Sequence, residues 1–508
     1  MLCFAVAENG ASTREITLAG AYVVGSDGVP LRADVELKEA HLICQKRAEG
    51  PAGLAILWPV PGCGYLLLET SRLLERDKPY NLPLELVRGR LMRINQKRED
   101  WGLFDFGGFQ PVAAEIDRAR DLFVAAIKED DAASQFRIAE KALQLAVVAG
   151  ERLSHFHADI FLTRRKQSHA FSRRTIGCTV DPTSTSDAYR QHLKDGFDFA
   201  HLPIPWRLLE PKQQEYNWRL FDSWVEWLTR NRVPVHAGPL VAFNEAQLPD
   251  WLAMYETDFE TVRNMIFDHV RRVVERYGSY VLQWEVISGV HLDNMFNFTF
   301  EQLMEVTRVS TALVKQLAPR AHAIINLTAP WGEYYARNQR TIPPLLYADM
   351  ALQSGVTFDA FGLQFNFGPA ADGMYVRDMF QISSALDLFA KLGKPLHITG
   401  VQVPSDTTVA RTDTGGDGPT LAGGTWHQPW NEDIQAEWLR RFVEIALSKP
   451  FVETVSWQSL ADHSRQEVPH GGLLRADLAP KAAYRQLLTL RSELLGTPQK
   501  AAGEPGAS

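Results

Sequence analysis

Apolar and polar positions along the chain change their period twice. From about residue 15 to 108, short apolar or alternating runs such as Ile16-Thr-Leu-Ala-Gly-Ala-Tyr-Val-Val24 and Ala33-Asp-Val-Glu-Leu37 are broken by Gly-Ser-Asp-Gly and Glu-Gly-Pro turns. Leu54 to Trp58 and Tyr65 to Leu68 continue the pattern, separated by Pro59, Pro61, Gly62 and Gly64. Such runs read as strands, and they predict a small β-sandwich-like module over 1–110. From Val112 to Arg165 apolar residues recur at three and four (Ile116, Ala119, Phe123, Ile127, then Ile138, Ala142, Leu145, Val148), which predicts a helical hairpin over 111–170. From about Arg174 to Leu490 short apolar strands alternate with amphipathic helices, the mark of βα units and a parallel sheet. Eight strands are predicted: Thr175–Val180, Phe197–Ile204, Val233–Val241, Val281–Ile287, Ala321–Leu327, Ala360–Phe365, Leu396–Val401 and Thr454–Gln458. Eight units in a span of this size predict a (β/α)8 barrel over 171–495, so the fold class is α/β, with 496–508 expected as a disordered tail.

Composition narrows the partners. Of 508 residues, 45 % are hydrophobic and 22 % charged, an ordinary globular balance. The net charge of −8, with no Lys/Arg block, argues against a nucleic-acid partner. No uncharged apolar window reaches the ~18 residues of a membrane span, so no membrane partner is expected. The start carries no basic leader with an apolar segment, which predicts a cytoplasmic protein, or a periplasmic or extracellular one if a leader has been removed. Cys3, Cys44, Cys63 and Cys178 are far apart and fit neither a zinc clip nor a disulfide framework. With no His-Glu-x-x-His, Cys-x-x-Cys or phosphate-binding glycine loop, neither a metal nor a cofactor is expected. Thirteen Trp, most of them after residue 200, supply flat faces for a core or for stacking on sugars.

In such a barrel the chemistry sits at the carboxyl ends of the strands. There the chain carries Trp206 with Leu209-Glu-Pro211, then Gln247-Leu-Pro-Asp-Trp251, Trp284-Glu-Val-Ile287 and Gly362-Leu-Gln364. Further on come Pro395-Leu-His-Ile-Thr399, Trp457, Gly472-Leu-Leu474 and Pro480-Lys-Ala-Ala-Tyr484. In order and spacing these pieces resemble glycoside hydrolase family 10, the retaining endo-1,4-β-xylanase-like enzymes. The resemblance covers about three fifths of the chain. It implies a carbohydrate partner (an oligo- or polysaccharide), and it implies an acid/base Glu after the fourth strand and a nucleophilic Glu on the seventh.

Laid on Trp284-Glu-Val-Ile-Ser-Gly289, the family's acid/base falls on Gly289, with Ser288 in place of its Asn. Laid on Ile398-Thr-Gly-Val-Gln402, its nucleophile falls on Gly400. Retaining hydrolysis needs two carboxyls about 5–5.5 Å apart, and glycine has none. Other sugar-reading positions differ as well: His201-Leu202 stands where the family has Glu-Asn, and Gln364 with Asn366 retains part of a Gln-x-His.

Acids near strand ends that offer a substitute are Glu245, Glu285, Asp293, Glu333, Asp406, Asp413, Asp417, Asp462 and Glu467. Glu333, in Pro330-Trp-Gly-Glu-Tyr-Tyr335, and Asp462, after the eighth strand, are the favoured pair. Glu285 reads as a buried core acid. The insertion Thr412–His427 is expected as a lid or a disordered segment, its glycines able to serve as hinges for a lid carrying Trp426, His427 and Trp430. Sugar contacts are expected from His201, Ser288, Trp331, Gln364, Asn366, Trp426, Trp430 and Trp457. Three functions stay open: a glycan-binding barrel without the family's carboxylates, a hydrolase using relocated acids, and a scaffolding protein.

Overall fold

The computed structural model describes residues 1–6, 16–104, 106–171, 174–408 and 420–495. The expected tail at 496–508, and Asp413 and Asp417 in the insertion, lie outside them.

Eight parallel strands close into a barrel in sequence order: Ile176–Thr179, Phe199–Leu202, Val235–Ala237, Val281–Ser288, His322–Leu327, Ala360–Asn366, Leu396–Gln402 and Val452–Trp457. The eighth pairs with the first, Val455 opposite Ile176 and Trp457 opposite Cys178, which closes the ring. Each strand is an almost unbroken buried run, as a sheet covered on both faces requires. Several of the intervening helices start at side-chain caps. Thr299 and Gln302 form a reciprocal capping box at Phe300–Leu317, and Asp378 with Gln381 does the same at Met379–Ala390.

The N-terminal module contains two small sheets, with strands at Leu2–Ala5, Tyr22–Val24, Pro30–Leu31, Ala33–Lys38, His41–Lys46, Gly53–Val60, Gly64–Glu69 and Tyr80–Asn81. It departs from the expected all-β module after residue 81, where Leu82–Asp100 is a helix. Asn81 caps it by accepting from the Leu84 amide, and Pro83 stands in its first turn. The predicted hairpin follows as Gln110–Lys128 and the 36-residue Ala132–Gln167.

These helices are fastened to the barrel rather than strung beside it. Arg90 pairs with Asp378 at 2.9 Å, Lys97 and Lys449 both reach Asp387 at 2.8 Å, and Arg165 donates to the Leu447 carbonyl. One strand of the module's five-stranded sheet comes from the barrel: Thr425–Trp426 pairs antiparallel with Tyr65 and Gly64. A Cβ at Gly64 would overlap the Thr425 carbonyl, so only glycine allows this approach.

The described end of the insertion is therefore an anchor, not a lid. Trp426 is buried and donates to Glu151 Oε1 at 2.8 Å, while His427 Nε2 lies 2.8 Å from Glu151 Oε2. Burial alone would push the His427 pKa down, but the Glu151 carboxylate outweighs it and holds the imidazole above its ordinary 6.5. A raised folded-state pKa stabilises fully below the unfolded value and loses that contribution as pH rises through the folded one. His427→Ala is expected to lower Tm more at pH 6 than at pH 9, read by thermal unfolding at both. An equal loss at the two pH values would contradict this pairing.

Candidate functional site

The carboxyl ends of the strands open into one cleft of about 730 Å³. His201, Ser288, Gly289, Gln364, Asn366 and Thr399 line it from the strands, joined by Glu285, Asp293, Gln458 and Glu467.

The floor is a chain of hydrogen bonds between strands. Thr399 donates to Asn326 Oδ1, and Asn326 Nδ2 donates to Ser288 Oγ at 2.9 Å. Asn366 Nδ2 donates to Glu467 Oε2 at 2.7 Å. His201 Nε2 sits 3.0 Å from the Gly238 carbonyl and 3.9 Å from Glu285 Oε2. Four expected sugar contacts, His201, Ser288, Gln364 and Asn366, are thus brought to one cleft.

Six acids line it, Asp181, Glu245, Glu285, Asp293, Asp372 and Glu467. Glu285 is 5 % exposed, and burial raises its pKa against the pull of His201, Ser288 and Asn326. Asp293, on the loop after the fourth strand, is likewise raised by burial, with Asn244 as its donor. Glu467 is accessible from the cleft itself, but protein surrounds it on the remaining sides. That loss of bulk water raises its pKa, the Asn366 hydrogen bond opposes the rise, and the Asp293 charge adds to it. Asp293 and Glu467 are the acids best placed to meet a ligand; both stand among the sequence candidates, but not as the favoured pair.

Gly289 and Gly400 differ in what surrounds them. Gly289 has φ +62°, and a Cβ there would stand 3.0 Å from Thr328 Oγ1 and 3.8 Å from Asp293 Oδ2. Gly400 lies opposite Gln364, and a Cβ there would overlap the Gln458 Oε1. The Gln458 carboxamide therefore occupies the space a residue-400 side chain would need. Sequence reasoning missed Gln458; the signal available was its place directly after Trp457 at the end of the eighth strand.

The favoured acids are both held in internal ion pairs. Glu333 is fully buried and is not among the residues that line the cleft, with its Oε1 accepting from the Gly373 amide at 2.9 Å and lying 3.4 Å from Arg377. Asp462 lies 2.7 Å from Lys481 Nζ and accepts from the Gly472 amide, so it holds the loop after the eighth strand.

The four proposed tryptophan platforms are also occupied. Trp426, Trp430 and Trp457 are at most 3 % exposed, the last two donating to the carbonyls of Gly424 and Gly471. Trp331 is half-buried against Phe365 and Phe367, with the Arg377 guanidinium 4.1 Å from its ring centre. Among the described residues no tryptophan lines the cleft, whose wall mixes polar side chains with apolar ones such as Leu208, Leu292 and Met374.

The chain is thus a closed (β/α)8 barrel with acids in a cleft at the carboxyl ends of its strands, where such barrels carry their sites. The profile of glycosyl hydrolase family 10 matches residues 166–489, more than half of the chain, and the chain belongs to that family. It is similar to endo-1,4-beta-xylanase B of Thermotoga neapolitana, 24 % identical over 267 residues, covering 51 % of this chain and 68 % of the relative. It is also similar to endo-1,4-beta-xylanase A of Xylanibacter ruminicola, 28 % identical over 91 residues, covering 17 % of this chain and 24 % of the relative. Among solved structures, native xylanase 10B from Thermotoga maritima aligns at 20 % identity and TM-score 0.48, covering 63 % of this chain and 96 % of that one. No described helix is long and apolar enough to cross a membrane.

Proposed function

We propose that the cleft binds an oligo- or polysaccharide of the xylan class and does not cleave it by the family's retaining double displacement. The observation that carries this reading is the pair of glycines. By the resemblance of their motifs, Gly289 and Gly400 fall where the family places its proton donor and nucleophile, and the Gln458 carboxamide stands where a side chain at 400 would begin. A carboxamide cannot attack an anomeric carbon as a carboxylate does. Xylan enters as the substrate class through the named activities of the related xylanases. The polar lining supports it: hydroxyl-rich ligands match Ser288, Gln364, Asn366 and Thr399.

A second reading has one observation in its favour. Asp293 lies close to the Cβ position of Gly289, and Glu467 feels its charge. A carboxyl with a raised pKa is what a general acid needs at neutral pH. In that case Glu467 or Asp293 would donate the proton.

Binding of xylo-oligosaccharides by calorimetry, run beside a reducing-sugar assay, separates the readings. Binding without product is expected, weakened in Asp293→Asn and Glu467→Gln. Product from the unmodified chain that falls about 10²–10⁴-fold in Glu467→Gln would replace the first reading with the second. No response to any glycan would leave a scaffolding role.

A further inference from the structure

At the opposite mouth of the barrel, the amino ends of the strands bring together side chains that the cleft does not use. His322 opens the fifth strand, His397 is the second residue of the seventh, and Glu453 the second of the eighth. One ligand atom from each lies within 4.8 Å of the others. His397 is 2 % exposed, whereas His322 and Glu453 are open to solvent.

His397 is the informative member. Its Nδ1 stands 2.8 Å from Thr454 Oγ1. With the proton on Nδ1 donated to that hydroxyl, the Nε2 lone pair points at the cluster. Nε2 is buried without a hydrogen bond, though Glu453 Oε2 lies 3.4 Å away. A buried ring nitrogen with no donor or acceptor partner costs free energy unless something fills the gap. Two donors each 2.0–2.1 Å from a tetrahedral ion stand about 3.4 Å apart, which is the His397–Glu453 separation. The third ligand, His322, is at the exposed rim and reaches such an ion by turning its ring.

We propose that His322, His397 and Glu453 form a binding site for a divalent transition metal of the zinc type at the amino-terminal mouth of the barrel. Two imidazoles and a carboxylate are a borderline-soft donor set that suits zinc over calcium or magnesium. Thr454 orients the central imidazole, as outer partners of ligating histidines do. The ion ties the fifth, seventh and eighth strands together and leaves one coordination position to water.

The test uses the full-length chain, stripped by a chelator and titrated with Zn²⁺ by calorimetry and with Co²⁺ by visible absorption. One equivalent is expected to bind, with ligand-field bands, no thiolate charge transfer and a raised Tm. His322→Ala and Glu453→Gln change exposed groups, so both should fold normally while losing at least about tenfold in affinity. No saturable uptake, equal affinity in both variants, or thiolate bands that assign the ion to a cysteine would each overturn the proposal.

Discussion

Arg377→Met is expected to lower the unfolding free energy by about 3–5 kcal/mol, the usual cost of removing one partner of a buried ion pair. Arg377 is 1 % exposed and faces Glu333, which is fully buried. Its guanidinium also donates to the Tyr22 hydroxyl of the N-terminal module at 3.3 Å and covers the Trp331 ring. Methionine keeps much of the volume but leaves the Glu333 charge enclosed, with the Gly373 amide as its remaining donor. Urea unfolding of the full chain measures the loss. Glu333→Leu with Arg377→Met should cost less than the sum of the single changes, because no lone charge is left behind. The same pair settles the role of Glu333. A catalytic acid would show Glu333→Gln as stable as the parent and defective in turnover; a structural one shows lost stability first.

Gly400→Glu is expected to destabilise by about 1–3 kcal/mol, the range for forcing extra atoms into a packed site. Its Cβ must displace the Gln458 carboxamide, the end of a half-buried side chain on the cleft wall. Adding Gln458→Ala should recover most of that loss, a coupling that chemical denaturation of the four members of the cycle reads directly. Gly289→Glu is strained for another reason. At φ +62° an L-residue pays roughly 1–2 kcal/mol, and no companion change relieves a backbone angle. A Gly400→Glu protein as stable as the parent would show that the Gln458 carboxamide gives up its place without cost.

Local periodicity determined much of this protein. Each of the eight barrel strands was legible because a strand covered on both faces must be apolar throughout, and each falls within or beside its predicted span. The framework motifs carried the family for the same reason, since they are contiguous in the chain. The helix Leu82–Asp100 was misread because Leu82, Leu84 and Leu86 alternate as in a strand; the cap at Asn81 and the proline at 83 were the countervailing signals.

Tertiary structure alone decided which loop side chains face the cleft. Glu333 and Glu467 are both loop acids after strands, but Arg377, 44 residues from Glu333, draws one into the interior, while Asn366 holds the other at the cleft. Trp426 sits on a long insertion, yet the N-terminal sheet claims it as a strand residue. His322, His397 and Glu453 are spread over more than a hundred residues, and no spacing rule joins them. Periodicity reports burial along one dimension. Which buried charge meets which partner is set when the barrel closes and the helices dock, because a charge leaves water only where its partner is already waiting.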